Sequence, residues 1–119
     1  MSHIATVAIK LKDLPLLAEV CGQAGVPCEL GAQEVRLYSG VVQGTAALHL
    51  KGWRYPVAVL ADGTVQFDNY GGAWGEKAEL DRILRNYAEA VTVRQARRLG
   101  MAVRREERED GAVVLRLLA

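Results

Sequence analysis

The chain has 119 residues, half of them apolar, and 15 basic against 14 acidic side chains give a formal charge of +1. That length fits one domain around one core, near the common size of about 100–150 residues; the balanced charge shows neither the basic excess of a general polyanion binder nor an acidic solubilising tail. No stretch approaches the roughly 20 apolar residues of a membrane-spanning helix, and the opening Met1 to Thr6 has neither the basic nor the apolar part of a leader, so a cytoplasmic protein is expected.

Ala5, Val7, Ile9 and Leu11 alternate with Ile4, Thr6, Ala8 and Lys10, the period of a first strand with its odd-numbered side chains inward. Asp13 then offers a capping carboxylate. Leu14, Leu17, Ala18, Cys21 and Ala24 recur at helical spacing, Pro15 sits in the first turn where no donor is lost, and Gly25 with Pro27 ends the helix. From Gln33 the pattern is that of strands: Val35 and Leu37, then Ala46, Leu48 and Leu50, then Val57 and Val59, then Val65 and Phe67. Glycines at 40, 44, 52 and 63 separate them, and Asp62-Gly63 is the strongest hairpin signal. Pro56 has no N–H to donate, which predicts a sheet edge or a bulge there.

Asn69 to Gly75 holds three glycines and two aromatics and reads as a loop. A second helix starts at Glu76, with Leu80, Ile83, Leu84, Tyr87, Val91, Ala96 and Leu99 on its apolar stripe. Asp81 and Arg85 are spaced as an ion pair, and the β-branched run Val91-Thr92-Val93 predicts a kink. A strand from Met101, an Asp110-Gly111 turn and a strand from Val113 to Leu117 close the chain. The expected fold is α+β in one domain over residues 1–119: β-α-(β meander)-α-β-β, a mostly antiparallel sheet in a two-layer sandwich with both helices packed on one face.

Chemistry is sparse. His3 and His49 are the only histidines; His49 falls on the strand face opposite Leu48 and Leu50, where a solvent-facing residue is expected, and His3 stands beside Ser2 at the N-terminal strand. Cys21 and Cys28 fit neither a CxxC pair nor a zinc site and read as reduced structural thiols. No catalytic, metal or cofactor motif is present, and the loop of residues 69–75 lacks the lysine and hydroxyl of a phosphate loop. Three features remain. Glycines before a helix start favour an anion, or a small molecule, at residues 69–75. Tyr38, Trp53, Tyr55, Tyr70 and Trp74 supply the residue types of a partner-binding patch, against the alternative of core packing. Arg94, Arg97, Arg98, Arg104, Arg105 and Arg108 form a basic strip, interrupted by Glu106, Glu107, Glu109 and Asp110, which is the case for nucleic acid.

Met1-Ser2-His3 opening into a strand, the Asp13-led helix ending at Gly25, and the block Tyr87, Val93, Ala96, Gly100-Met101, Val103, Glu106-Glu107, Asp110-Gly111, Leu115 and Leu117 follow one another in an order that resembles the hypothetical chloroplast reading frame thirty-five family, domain of unknown function twelve fifty-seven. Tyr38-Ser39-Gly40 and the stretch Asp68 to Trp74 resemble that family's central motifs, although Ile4 replaces its usual aromatic and Tyr38 lacks the usual preceding glycine. Members of that family occur in cyanobacteria, algal plastids and other prokaryotes, some encoded near AAA-type ATPases, so the resemblance implies an accessory role by association. The combined expectation is a non-enzymatic adaptor that binds a protein partner, with no cofactor, no metal and no membrane, through candidates His3, Tyr38, Trp53, Asp68, Tyr70 and Trp74.

Overall fold

The computed structural model describes residues 5–7, 9–110 and 112–118. The readings placed on Ser2, His3 and Ile4 lie outside the described residues, as do the side-chain directions of the first strand up to Ala8. That strand, β1 (Ala5–Val7), is short. Beyond it Ile9 packs partly buried against the core and Leu11 is fully buried, so this part of the alternation does point inward.

Helix α1 (Leu14–Ala24) begins where Asp13 accepts the Leu16 N–H at 3.1 Å and stops at Gly25, whose φ of 72° closes the last turn. Its buried side chains are Leu16, Leu17, Val20 and Cys21, one step round from the predicted stripe, with Leu14 only partly buried.

The meander comprises β2 (Cys28–Leu37), β3 (Gly40–Leu48), β4 (Val57–Val59) and β5 (Val65–Phe67). Together with β1 these form an antiparallel sheet in the order β1-β5-β4-β3-β2. Pro56 stands just before β4, a central strand, so its missing N–H interrupts no ladder and neither an edge nor a bulge is needed. The Asp62-Gly63 turn joins β4 to β5 as predicted. Hydrogen bonds from Thr64, helped by Lys10, hold the Asp62 carboxyl down at about 2.

One sheet face, made by Ala46, Leu48, Val57, Val59, Val65 and Phe67, buries both helices: the α1 residues above and Leu80, Ile83, Leu84 and Tyr87 of α2 (Lys77–Arg98). Each fully buried aliphatic side chain contributes on the order of 1.5–3 kcal/mol of transfer free energy. Helix α2 runs unbroken through Val91-Thr92-Val93, where the Thr92 hydroxyl bonds the Ala88 carbonyl at 3.0 Å, so the predicted kink is absent. Asp81 pairs with Lys77, one turn before it, at 2.6 Å rather than with the predicted Arg85, one turn after it. Leu99 caps the helix and is 77% exposed, off the stripe predicted for it.

The opposite sheet face is not left to solvent. Leu37 pairs with Gly40 at the tip of the β2–β3 hairpin, seven positions along β3 from Ala47, which is about 23 Å of extended strand. Yet Val35, Leu37, Ala47 and Ala58 form one buried cluster. The hairpin therefore bends back over the sheet. The bend coincides with the register shift between Leu30 and Gln33, where Gly31 has φ 116°, and with Gly44 opposite Gln33. A Cβ at Gly44 would stand 3.1 Å from both Val35 Cγ2 and the Val59 carbonyl, a tight contact that a side chain could make only if its neighbours gave by a few tenths of an ångström. The hairpin thus adds a third layer to the expected two.

The chain's last two strands, β6 (Ala102–Glu107) and β7 (Val113–Leu118), form a separate two-stranded sheet instead of extending the first. Arg105 ties β6 to α2 by donating to Glu89 at 2.6 Å.

Candidate functional site

The folded-back hairpin carries Tyr38 to the segment before β4 and to the loop after β5. Trp74 is the centre of what assembles there. The Tyr70 ring stacks on it at 4.8 Å, Tyr38 lies tilted at 4.8 Å, Tyr55 meets it edge-on at 5.4 Å, and the Arg54 guanidinium sits 5.6 Å from its ring centroid. Tyr38 also contacts Tyr55 at 6.3 Å. Three chain segments meet here, and Tyr38 and Tyr70 remain 56% and 45% exposed.

Local backbone chemistry explains the loop. Tyr70, Gly71 and Gly72 all take left-handed φ values, with Tyr70 the one non-glycine to do so among the described residues. The Asp68 carboxylate accepts the Tyr70 N–H at 3.3 Å, supporting that turn from below. Asp68 is 1% exposed, so it props the surface from beneath rather than lining it, and its Oδ2 has no hydrogen-bond partner among the described residues. The loop then closes on itself: the N–H groups of Gly72 and Trp74 donate to the Asn69 carbonyl, that of Ala73 to Tyr70, and the Asn69 side chain to the Gly75 carbonyl. The loop amides of Tyr70, Gly72, Ala73, Trp74 and Gly75 are thus spent on bonds within the loop and to Asp68.

Trp53 takes a different role from the other candidates. Its ring packs edge-on against Phe67 at 5.7 Å and its Nε1–H donates to the Glu76 carbonyl at 3.1 Å, anchoring the start of α2. Gly75 permits this, because a Cβ there would stand 2.4 Å from the Trp53 ring, too close unless one of them shifts. Trp53 still forms one wall of an open groove of ≈ 740 Å³ whose other walls are Arg54, Tyr70 and Trp74. Arg54 was not among the sequence candidates. The signal available was its position between Trp53 and Tyr55, and its backbone N–H holds the loop by donating to the Trp74 carbonyl at 2.8 Å.

His3 lies outside the described residues. His49 is exposed, as expected, and contacts Glu29 on the neighbouring strand. The basic strip does not stay together. Arg94, Arg97, Arg98 and Arg105 line a groove of ≈ 700 Å³ between α1, α2 and β6, but Glu19 and Glu89 line it too. Arg94 is bound to Asp13 at 3.0 Å, and Arg105 to Glu89 and Glu107. Strand alternation puts Arg104 on the other hairpin face, opposite Arg116, and Arg108 sits at the turn.

Cys21 and Cys28 are free thiols that touch. The hydrogen bond from Cys21 holds the half-buried Cys28 below the usual thiol range despite its burial, while the same bond, with burial, pushes Cys21 well above it. Among the described residues no three His, Cys, Asp or Glu side chains cluster to hold a metal ion, and no helix is long and apolar enough to cross a membrane. Compared with protein-family models, curated proteins and solved structures, the chain matches none. Fold and site together define an α+β domain that displays a tyrosine–tryptophan–arginine face.

Proposed function

We propose that this is a cytoplasmic accessory protein that binds a protein partner through the Trp74-centred face. The observation that supports the reading is the assembly of Tyr38, Arg54, Tyr55, Tyr70 and Trp74 from three segments around the Trp74 ring, beside an open groove that Trp53, Arg54, Tyr70 and Trp74 line. Tyrosine, tryptophan and arginine are the residue types that dominate binding energy at protein interfaces, because large rigid rings bury much surface for little lost freedom. Their flat faces suit an extended partner segment with proline or other apolar side chains. Arg54 adds a cation that selects an acidic residue beside them. The family resemblance makes an AAA-type ATPase assembly the first partner to test.

The experiment is affinity capture from the native host with the wild-type chain and with Trp74→Ala. A stoichiometric partner should be recovered with the wild type, and the variant should bind it at least tenfold more weakly, as loss of a central aromatic anchor of 2 kcal/mol or more requires. Repeated isolation of the wild-type chain alone, or equal capture by a folded Trp74→Ala, would falsify the assignment.

A further inference from the structure

The β6–β7 hairpin is the part of the molecule least accounted for by the fold. A two-stranded sheet alone is marginal in water, and among the described residues β7 has no strand neighbour other than β6. The two outer edges differ in kind. Strand β6 reads Ala-Val-Arg-Arg-Glu-Glu, with four charges in six residues, whereas β7 reads Val-Val-Leu-Arg-Leu-Leu, with one. Charged edge strands resist pairing, and apolar β-rich ones invite it. Leu117 and Leu118 are 45% and 50% exposed.

We propose that β7 pairs antiparallel with β7 of a second copy of this chain, giving a four-stranded sheet β6-β7-β7′-β6′ across a two-fold axis. Backbone directions permit it. The Arg108 N–H bonds the Ala112 carbonyl at 2.8 Å, so by the alternation of an antiparallel ladder Val114, Arg116 and Leu118 turn their N–H and C=O groups toward β6. Val113, Leu115 and Leu117 therefore turn theirs to the open edge, and all three are apolar.

Charge and strand length then select the register. With Leu115 opposite Leu115 of the second copy, Val113 faces Leu117 and Arg116 faces Val114, so all three edge-facing residues are paired. A shift one way sets Arg116 against Arg116, where like charges repel, and a shift the other way carries Leu117 past the Val113 end of the second strand and loses its pair. Because the contact is isologous, it closes after two copies and leaves the charged β6 strands as the only outer edges. Both α2 helices lie on one side of the joined sheet, since Arg105, which reaches Glu89 of α2, shares its face with Leu115. The outer strands stand three spacings apart, about 14 Å, and packed helices need about 8–10 Å, so the helices do not collide over the axis.

The test is sedimentation equilibrium of the full chain in reducing buffer. The expected mass is twice 13.0 kDa, dissociating on dilution, and a mass of 13.0 kDa at every concentration overturns the proposal. Leu117→Pro is the informative variant: its lost N–H faces the open edge, so the monomer keeps its ladder while the dimer loses a bond and gains a clash. Leu117→Lys serves if the proline variant fails to fold. Either variant, folded by circular dichroism, should be monomeric, and a dimer as tight as the wild type overturns the pairing. A mixture of Val114→Cys and Arg116→Cys chains should cross-link on oxidation, whereas a disulfide dimer of Arg116→Cys alone overturns the register.

Discussion

Asp13 serves three neighbours at once. Its backbone N–H donates to the Tyr87 hydroxyl at 3.0 Å, one carboxylate oxygen caps α1 at Leu16, and the other takes Arg94 at 3.0 Å. One residue thus ties the start of α1 to two turns of α2. Asp13→Ala should lower unfolding stability by about 1–2 kcal/mol in a denaturant titration, the usual loss for a side-chain cap, and Asp13→Asn should recover most of it, because an amide oxygen still caps. The cysteines give a second prediction at this scale. Cys28, whose thiolate is favoured by the Cys21 hydrogen bond, should react with iodoacetamide well before the fully buried Cys21 at neutral pH; equal labelling rates in the folded protein would rule out that polarity. The capping role of Asp13 was readable in the sequence, since a cap depends on residues three apart. Its pairing with Arg94 was not, because 81 residues separate them and only packing sets that distance.

At the scale of elements, the folded-back β2–β3 hairpin controls the site, because it alone brings Tyr38 to Trp74. Its seat is made by small residues: Ala47 and Ala58 are 3% and 0% exposed beneath Val35 and Leu37. Ala58→Leu should therefore overpack that layer and cost about 1–3 kcal/mol. The same variant should open the hairpin tip to limited proteolysis and weaken partner capture, although residue 58 lies outside the groove; unchanged proteolysis would show that the hairpin does not depend on this seat. Helix α1 from Asp13 to Gly25, helix α2 and the Asp62-Gly63 hairpin were legible because each rests on local periodicity and caps. The bend was not. Alternation assigns side chains to two faces but does not say that both are buried, and alanine beneath a second layer reads the same as alanine at a surface. For that reason sequence reasoning gathered the aromatic candidates but not their arrangement, with Trp53 an anchor for α2, Asp68 a buried prop and Arg54 in the groove.

For the whole molecule, the aromatic loop ends at the start of α2 and the β6–β7 hairpin begins just past its end. The 22 residues of α2 make a rod about 33 Å long, matched by a longest molecular dimension of 48 Å. A radius of gyration of 15.4 Å, against about 13.5 Å for a compact chain of this length, fits a body with a projecting hairpin. Occupying one end should accordingly leave the other accessible, and Trp74→Ala is expected to dimerise like the wild type by sedimentation. That length also makes α2 a spacer. Two chains joined at β7 would hold their Trp74 faces at a fixed separation, so a partner that is itself a ring of repeated subunits would be gripped at two sites, and its apparent affinity would exceed that of one face by about 10²–10⁴-fold.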